Sequence, residues 1–162
     1  APAYVMSPFA ETAVGNTPPL LKFDANGKGA QGPISNMATA ASMTATAAAP
    51  MTLNLWASDD MKYTSGTNAP PAGSRSPVTV RWTKYRGPGT VTFEKPRPEL
   101  VKLAAGPAAY NGKATTTAKF SEPGDSVLQA TGNDYSGDGG GGFGCCWTPA
   151  LAKLPGKPKR IG

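Results

Sequence analysis

No histidine occurs anywhere in the chain. That absence removes the side chain most often used as a general base at neutral pH, and the commonest metal ligand. It excludes Ser-His and Cys-His catalysis and every zinc site that needs an imidazole. Cysteine is nearly absent too. The 162 residues carry two, side by side at Cys145 and Cys146. There is no Cys-x-x-Cys redox motif, and no other soft ligand stands beside them for a metal. No apolar run approaches the ~20 residues of a membrane-spanning helix. No Asn-x-Ser/Thr acceptor for N-glycosylation occurs. The chain begins at Ala1, without Met and without a charged start leading into an apolar region; a mature secreted chain and an excised piece of a longer one both fit.

What the chain has in quantity is glycine and proline, 20 and 17 residues, beside an apolar fraction of 39%. The apolar residues fall in alternating blocks, which predicts a loop-rich β protein rather than a disordered one. The length suits one domain with a real core. The net charge is +6, scattered except for the tail Lys153, Lys157, Lys159 and Arg160. A scattered positive surface serves solubility; an acidic polysaccharide or cell envelope is the functional alternative. No nucleic-acid motif accompanies it.

Residues 1–19 hold four prolines and read as an extended N-terminal arm. Residues 20–154 read as the folded domain and 155–162 as a basic C-terminal tail. Leu20 to Phe23 predicts a short first strand, 24–33 a loop, and 42–47 an edge strand. Met51, Leu53 and Leu55 alternate with Thr52, Asn54 and Trp56, and Ser58-Asp59-Asp60 ends that strand. Val78, Val80 and Trp82 share a face. A turn at Gly87-Pro88-Gly89 leads to the inward pair Val91 and Phe93. Residues 94–112 predict a long Pro-rich connection. Ala114, Thr116, Ala118 and Phe120 alternate next, and Pro123-Gly124 starts a turn. Ser126 to Thr131 is a strand, Gly132 to Gly144 a glycine loop, and Cys146 to Leu154 a last strand interrupted by Pro149 and Pro155. Strands of this length between Gly/Pro turns indicate a sandwich or barrel. The amphipathic helices of a parallel α/β fold are not there.

Three stretches carry a resemblance: LNLWASDD (53–60), WTKYRGPGTVTF (82–93) and ATTTAKFSEPGDSVLQATGND (114–134). Together they resemble the polycystic-kidney-disease-type and related bacterial Ig-like modules, which are similar in a core Trp followed by a Gly-Pro-Gly turn and in a Pro-Gly turn before a strand ending in an Asp-rich loop. The resemblance implies an all-β fold: an Ig-like antiparallel β-sandwich with long Gly/Pro-rich loops. It also implies an extracellular or periplasmic role in adhesion, spacing or assembly, which fold alone does not choose among.

In such a sandwich the loop after the second strand and the loop before the last strand share one end. That would gather Asp59 and Asp60 with Asn133, Asp134 and Asp138, oxygen ligands of the kind calcium takes. Asp and Asn are equally ordinary turn residues. For Cys145-Cys146 three states compete: a strained vicinal disulfide, two thiols, and bridges between chains. Adjacent Cα atoms sit about 3.8 Å apart, below the usual ~4.4–6.8 Å of a disulfide. Tyr4, Val5, Met6 and Phe9 make the arm too apolar for a solvated linker and predict burial against a neighbouring subunit, beside the interrupted last strand. The expected function is a non-catalytic, secreted structural or interaction domain that assembles with itself, as a filament or other homo-oligomer, or with a larger complex. The alternative is a ligand-binding module: a glycan- or calcium-dependent adhesin, or an accessory domain of a secreted enzyme.

Overall fold

A computed structural model describes residues 17–32, 36–37, 44–47, 49–61, 76–134 and 147–157. The described residues are all-β, with no helix. In chain order the strands are β1 (Leu20–Lys22), β2 (Asn36–Met37), β3 (Ala45–Thr46), β4 (Met51–Asp59), β5 (Val78–Arg86), β6 (Val91–Phe93), β7 (Val101–Lys102), β8 (Tyr110–Phe120), β9 (Ser126–Asp134), β10 (Trp147–Leu154) and β11 (Gly156–Lys157). The first sheet has the order β1-β4-β8-β6, with β7 also on β8; the second has the order β2-β10-β9-β5; β3 and β11 form a small third pair.

The period-two alternation sets which side of each strand is buried. Leu53, Leu55 and Ala57 of β4, Ala114, Thr116, Ala118 and Phe120 of β8, and Val78, Val80 and Trp82 of β5 all point inward. Trp82 is 1% exposed. Its ring lies 5.7 Å from Phe23 and 6.5 Å from Phe93, centroid to centroid. The buried residues of both sheets form one cluster, with Val91 and Phe93 packed against it.

The Gly-Pro-Gly turn forms where expected. Gly87 has φ +134, and a Cβ there would stand 2.6 Å from Ser126 Oγ, so only glycine suits the position. Lys84 closes the turn by donating to the carbonyl of Gly89. A bulge between Lys84 and Arg86 follows the straight part of β5.

Several expectations change. β4 runs through Asp59, β8 begins at Tyr110, and β9 continues past Thr131 to Asp134. Residues read as loop become strand because a neighbour pairs with them: Asp59 with Tyr110, and Asp134 with Val78. The last strand is not broken at Pro149. That residue sits inside the ladder opposite Thr131, and β10 pairs with β9 from Trp147 to Leu154. The proline costs one donor, not the strand. Pro155 ends β10, but Gly156 and Lys157 then pair with Ala45 and Thr46, so the tail begins inside the fold. The arm likewise ends against it. Pro19 is fully buried, its carbonyl accepts from Thr148 Oγ1 at 2.6 Å, and Thr17 Oγ1 donates to Asp60 Oδ2 at 2.7 Å. β10 lies between β2 and β9, so it offers an arm no free edge over Ala150 and Leu151.

Candidate functional site

The inward phase of β4 (Leu53, Leu55, Ala57) delivers Asp59 into the interior at the strand's last residue. The inward phase of β9 (Leu128, Ala130, Gly132) does the same for Asp134. Asp59 is 3% exposed and Asp134 2%. The chain leaves β4 through Met61, whose φ of 56 is a left-handed conformation uncommon for a residue with a side chain. That bend aims the Met61 N–H at Asp59 Oδ2, 2.9 Å away. Asp59 Oδ1 is buried with no hydrogen-bond partner.

Burial pushes the Asp59 carboxyl up from 3.8 to about 6. The Met61 N–H opposes that rise, while the negative charges of Asp134 and Asp60 add to it. Beside Asp59 in register stands Tyr110, whose hydroxyl lies 3.0 Å from Ser76 Oγ. Ser76 in turn donates to the Val78 carbonyl at 2.7 Å. This chain of contacts ties the start of β8 to the start of β5, and therefore one sheet to the other. A Cβ on Gly112 would stand 2.8 Å from the Tyr110 hydroxyl, so glycine gives the ring its place.

Of the five residues expected at a calcium site, Asp59 and Asp134 do come together. Asp60 lies past the end of β4 and takes the Thr17 hydroxyl. Asn133 belongs to the opposite phase of β9 from Asp134, so its side chain leaves on the sheet's outer face. Asp138 lies outside the described residues, as do Cys145, Cys146, Tyr4, Val5, Met6 and Phe9. Among the described residues, no group of three or more His, Cys, Asp or Glu is placed to hold a metal ion. The arrangement is a buried carboxyl pair in which burial raises the Asp59 carboxyl to about 6.

Sequence reasoning passed over a second feature. The alternation that put Trp56 opposite Leu55 also put it on the outer face of the first sheet. There Lys113 Nζ stands over its ring, 5.0 Å from the centroid. The signal was the outward phase of Trp56; its cross-strand neighbours are invisible until β4 and β8 are paired.

No protein-family model matches the sequence, and no curated protein matches it.

Proposed function

We propose that the chain is a secreted, non-catalytic Ig-like module of the polycystic-kidney-disease type that assembles by strand addition, with copies of itself or within a larger extracellular complex. The strand orders support the Ig-like part. β1-β4-β8-β6 and β10-β9-β5 correspond to the A-B-E-D and G-F-C sheets of that sandwich, with β2 added parallel beside β10. The non-catalytic part is supported by the burial of both interior carboxyls and by the absence of histidine from the sequence.

The observation that carries the assembly reading is a contrast between two sheet edges. The β5 edge is guarded. It has a bulge after Lys84, the charges of Lys84 and Arg86, and the Pro96 carbonyl accepting from the Trp82 N–H at 2.8 Å. Charges, bulges and covering loops are the usual devices against unwanted pairing. Among the described residues the β4 edge is not guarded. β1 pairs only with Trp56, Ala57 and Ser58 before the chain turns away at Asp24. Met51 to Leu55 therefore leave one backbone edge without a strand among the described residues, and that stretch carries no charge, proline or bulge. Such an edge accepts an extended segment through main-chain hydrogen bonds. The donor is the apolar arm of a neighbour, through Tyr4, Val5, Met6 and Phe9; a head-to-tail contact of this kind builds rings or open filaments.

Deleting residues 1–16 tests this and spares Thr17 and Pro19. By size-exclusion chromatography and negative-stain microscopy the full chain should form oligomers and the truncated chain monomers. Equal assembly by the two would refute the reading.

A further inference from the structure

The outer face of the first sheet carries a cross-strand row that the core does not require. Lys22, Trp56, Lys113 and Val101 stand in register on four adjacent strands, β1, β4, β8 and β7. All belong to the outward phase, since Leu21, Leu55, Ala57, Gly112 and Ala114 beside them are buried. Trp56 and both lysines are partly exposed, and Val101 is 68% exposed. Among the described residues neither lysine is held in an ion pair; Lys113 instead extends over the indole. One row along, Thr115 Oγ1 donates to Asn54 Oδ1 at 2.9 Å, at the exposed surface. Glu94 is held by Thr117, two rows from Trp56. That is about 13 Å along the strands, beyond the ~8 Å over which exposed charges interact at physiological salt.

From this arrangement we infer that the row is a binding site for a carboxylated polysaccharide, a chain of uronic acid residues. The part of the indole that Lys113 leaves uncovered offers an apolar surface to the C–H face of a pyranose ring. The two ammonium groups take the carboxylates as charge-assisted hydrogen bonds. Asn54 and Thr115 present an amide and a hydroxyl to sugar hydroxyls. Four strands about 4.8 Å apart make the row roughly 14 Å long, a length for an extended oligosaccharide rather than a single sugar. The net charge of +6 draws a polyanion in, but charge alone selects none; the tryptophan between the two lysines supplies the selection for a sugar. This inference stands apart from assembly, because it uses the face of the first sheet and not its edge.

The test is affinity electrophoresis and calorimetry of the full chain with three probes: polygalacturonate, neutral dextran and polyglutamate. Binding to polygalacturonate that weakens with salt is expected, with little binding to dextran. Polyglutamate has the carboxylates without the rings and should bind much more weakly. Trp56→Ala and Lys113→Gln should each lower affinity for polygalacturonate by about three- to tenfold, the order of one exposed charge-assisted or stacking contact. Both positions are on the outer face, so circular dichroism should show the variants folded. Arg81→Gln, which removes a charge from the outer face of the other sheet, should leave affinity unchanged. Equal binding of polyglutamate, or an Arg81→Gln loss as large as that of Lys113→Gln, would overturn the inference in favour of diffuse charge attraction. No binding to polygalacturonate would overturn it outright.

Discussion

Trp82 shows how much one side chain carries. It is the largest of the fully buried side chains among the described residues and lies between Phe23 beside β1 and Phe93 of β6. Trp82→Ala should cost about 3–5 kcal/mol, read from denaturant unfolding. Trp82→Phe should cost much less. The indole N–H is buried without a hydrogen-bond partner, so the native residue already bears a desolvation cost that phenylalanine lacks. Equal losses for the two would mean that shape alone matters there. Asp59 works in the opposite sense. Its folded pKa, about 6, lies above the unfolded 3.8. The folded chain therefore holds this proton more tightly, and the contribution is fully present below about pH 4 and lost as pH rises through about 6. The difference corresponds to something on the order of 3 kcal/mol. Asp59→Asn keeps an acceptor for the Met61 N–H and removes the charge. Its melting temperature should exceed that of the native chain by a margin that widens as pH is raised through 6. A margin that does not change with pH would remove Asp59 as the responsible group.

At the scale of elements, close approach decides more than propensity does. Gly132 lies in β9 opposite both Val80 and Thr148. A Cβ there would stand 2.8 Å from Leu21 Cδ2. The missing side chain lets β1, which belongs to the first sheet, press Leu21 against the second. Gly132→Ala should therefore destabilise by roughly 1–3 kcal/mol, the usual range for overpacking. Gly132→Ala combined with Leu21→Ala should recover part of the clash while opening a cavity elsewhere, a non-additivity that a double-mutant cycle measures. In the sequence Gly132 reads as the first residue of a glycine loop, because a lone glycine is a break signal locally. Its role as a contact position exists only once β1 is in place. β10 gives the converse case. Its residues from Thr148 through Ala152 are all buried, on both phases, while β2 pairs with one edge at Ala150 and Leu151 and β9 with the other. A strand buried on both faces does not alternate, and two prolines in an unalternating stretch read as interruption.

At the scale of the molecule, the two sheets have no separate interiors. One buried cluster joins Leu53 and Leu55 of the first to Val80, Trp82 and Leu128 of the second. Tyr110 and Ser76 tie them at one end, and Thr148 ties β10 to the carbonyl of Pro19 and the N–H of Gly32. Unfolding in denaturant should therefore be a single transition. Tryptophan fluorescence and far-ultraviolet circular dichroism should report the same midpoint. Separate midpoints would show that the sheets hold together independently.

The alternation of apolar residues was enough to determine that this is a β protein, which faces of β4, β5 and β8 turn inward, and that Trp82 sits in the core. These follow from a period of two acting within single strands, and each strand carries that pattern in its own residues. The absence of histidine likewise bounded the chemistry without any fold. Tertiary structure alone decided where strands end, which edges are covered, and which polar groups meet. Asp59 and Asp134 lie 75 positions apart in the chain, and their facing each other depends on two sheets closing at one end. The meeting of Trp56 with Lys113 depends on the register of β4 with β8. Register and closure are set by pairings between distant segments, and the free energy of a pairing belongs to both partners at once; neither segment read alone contains it.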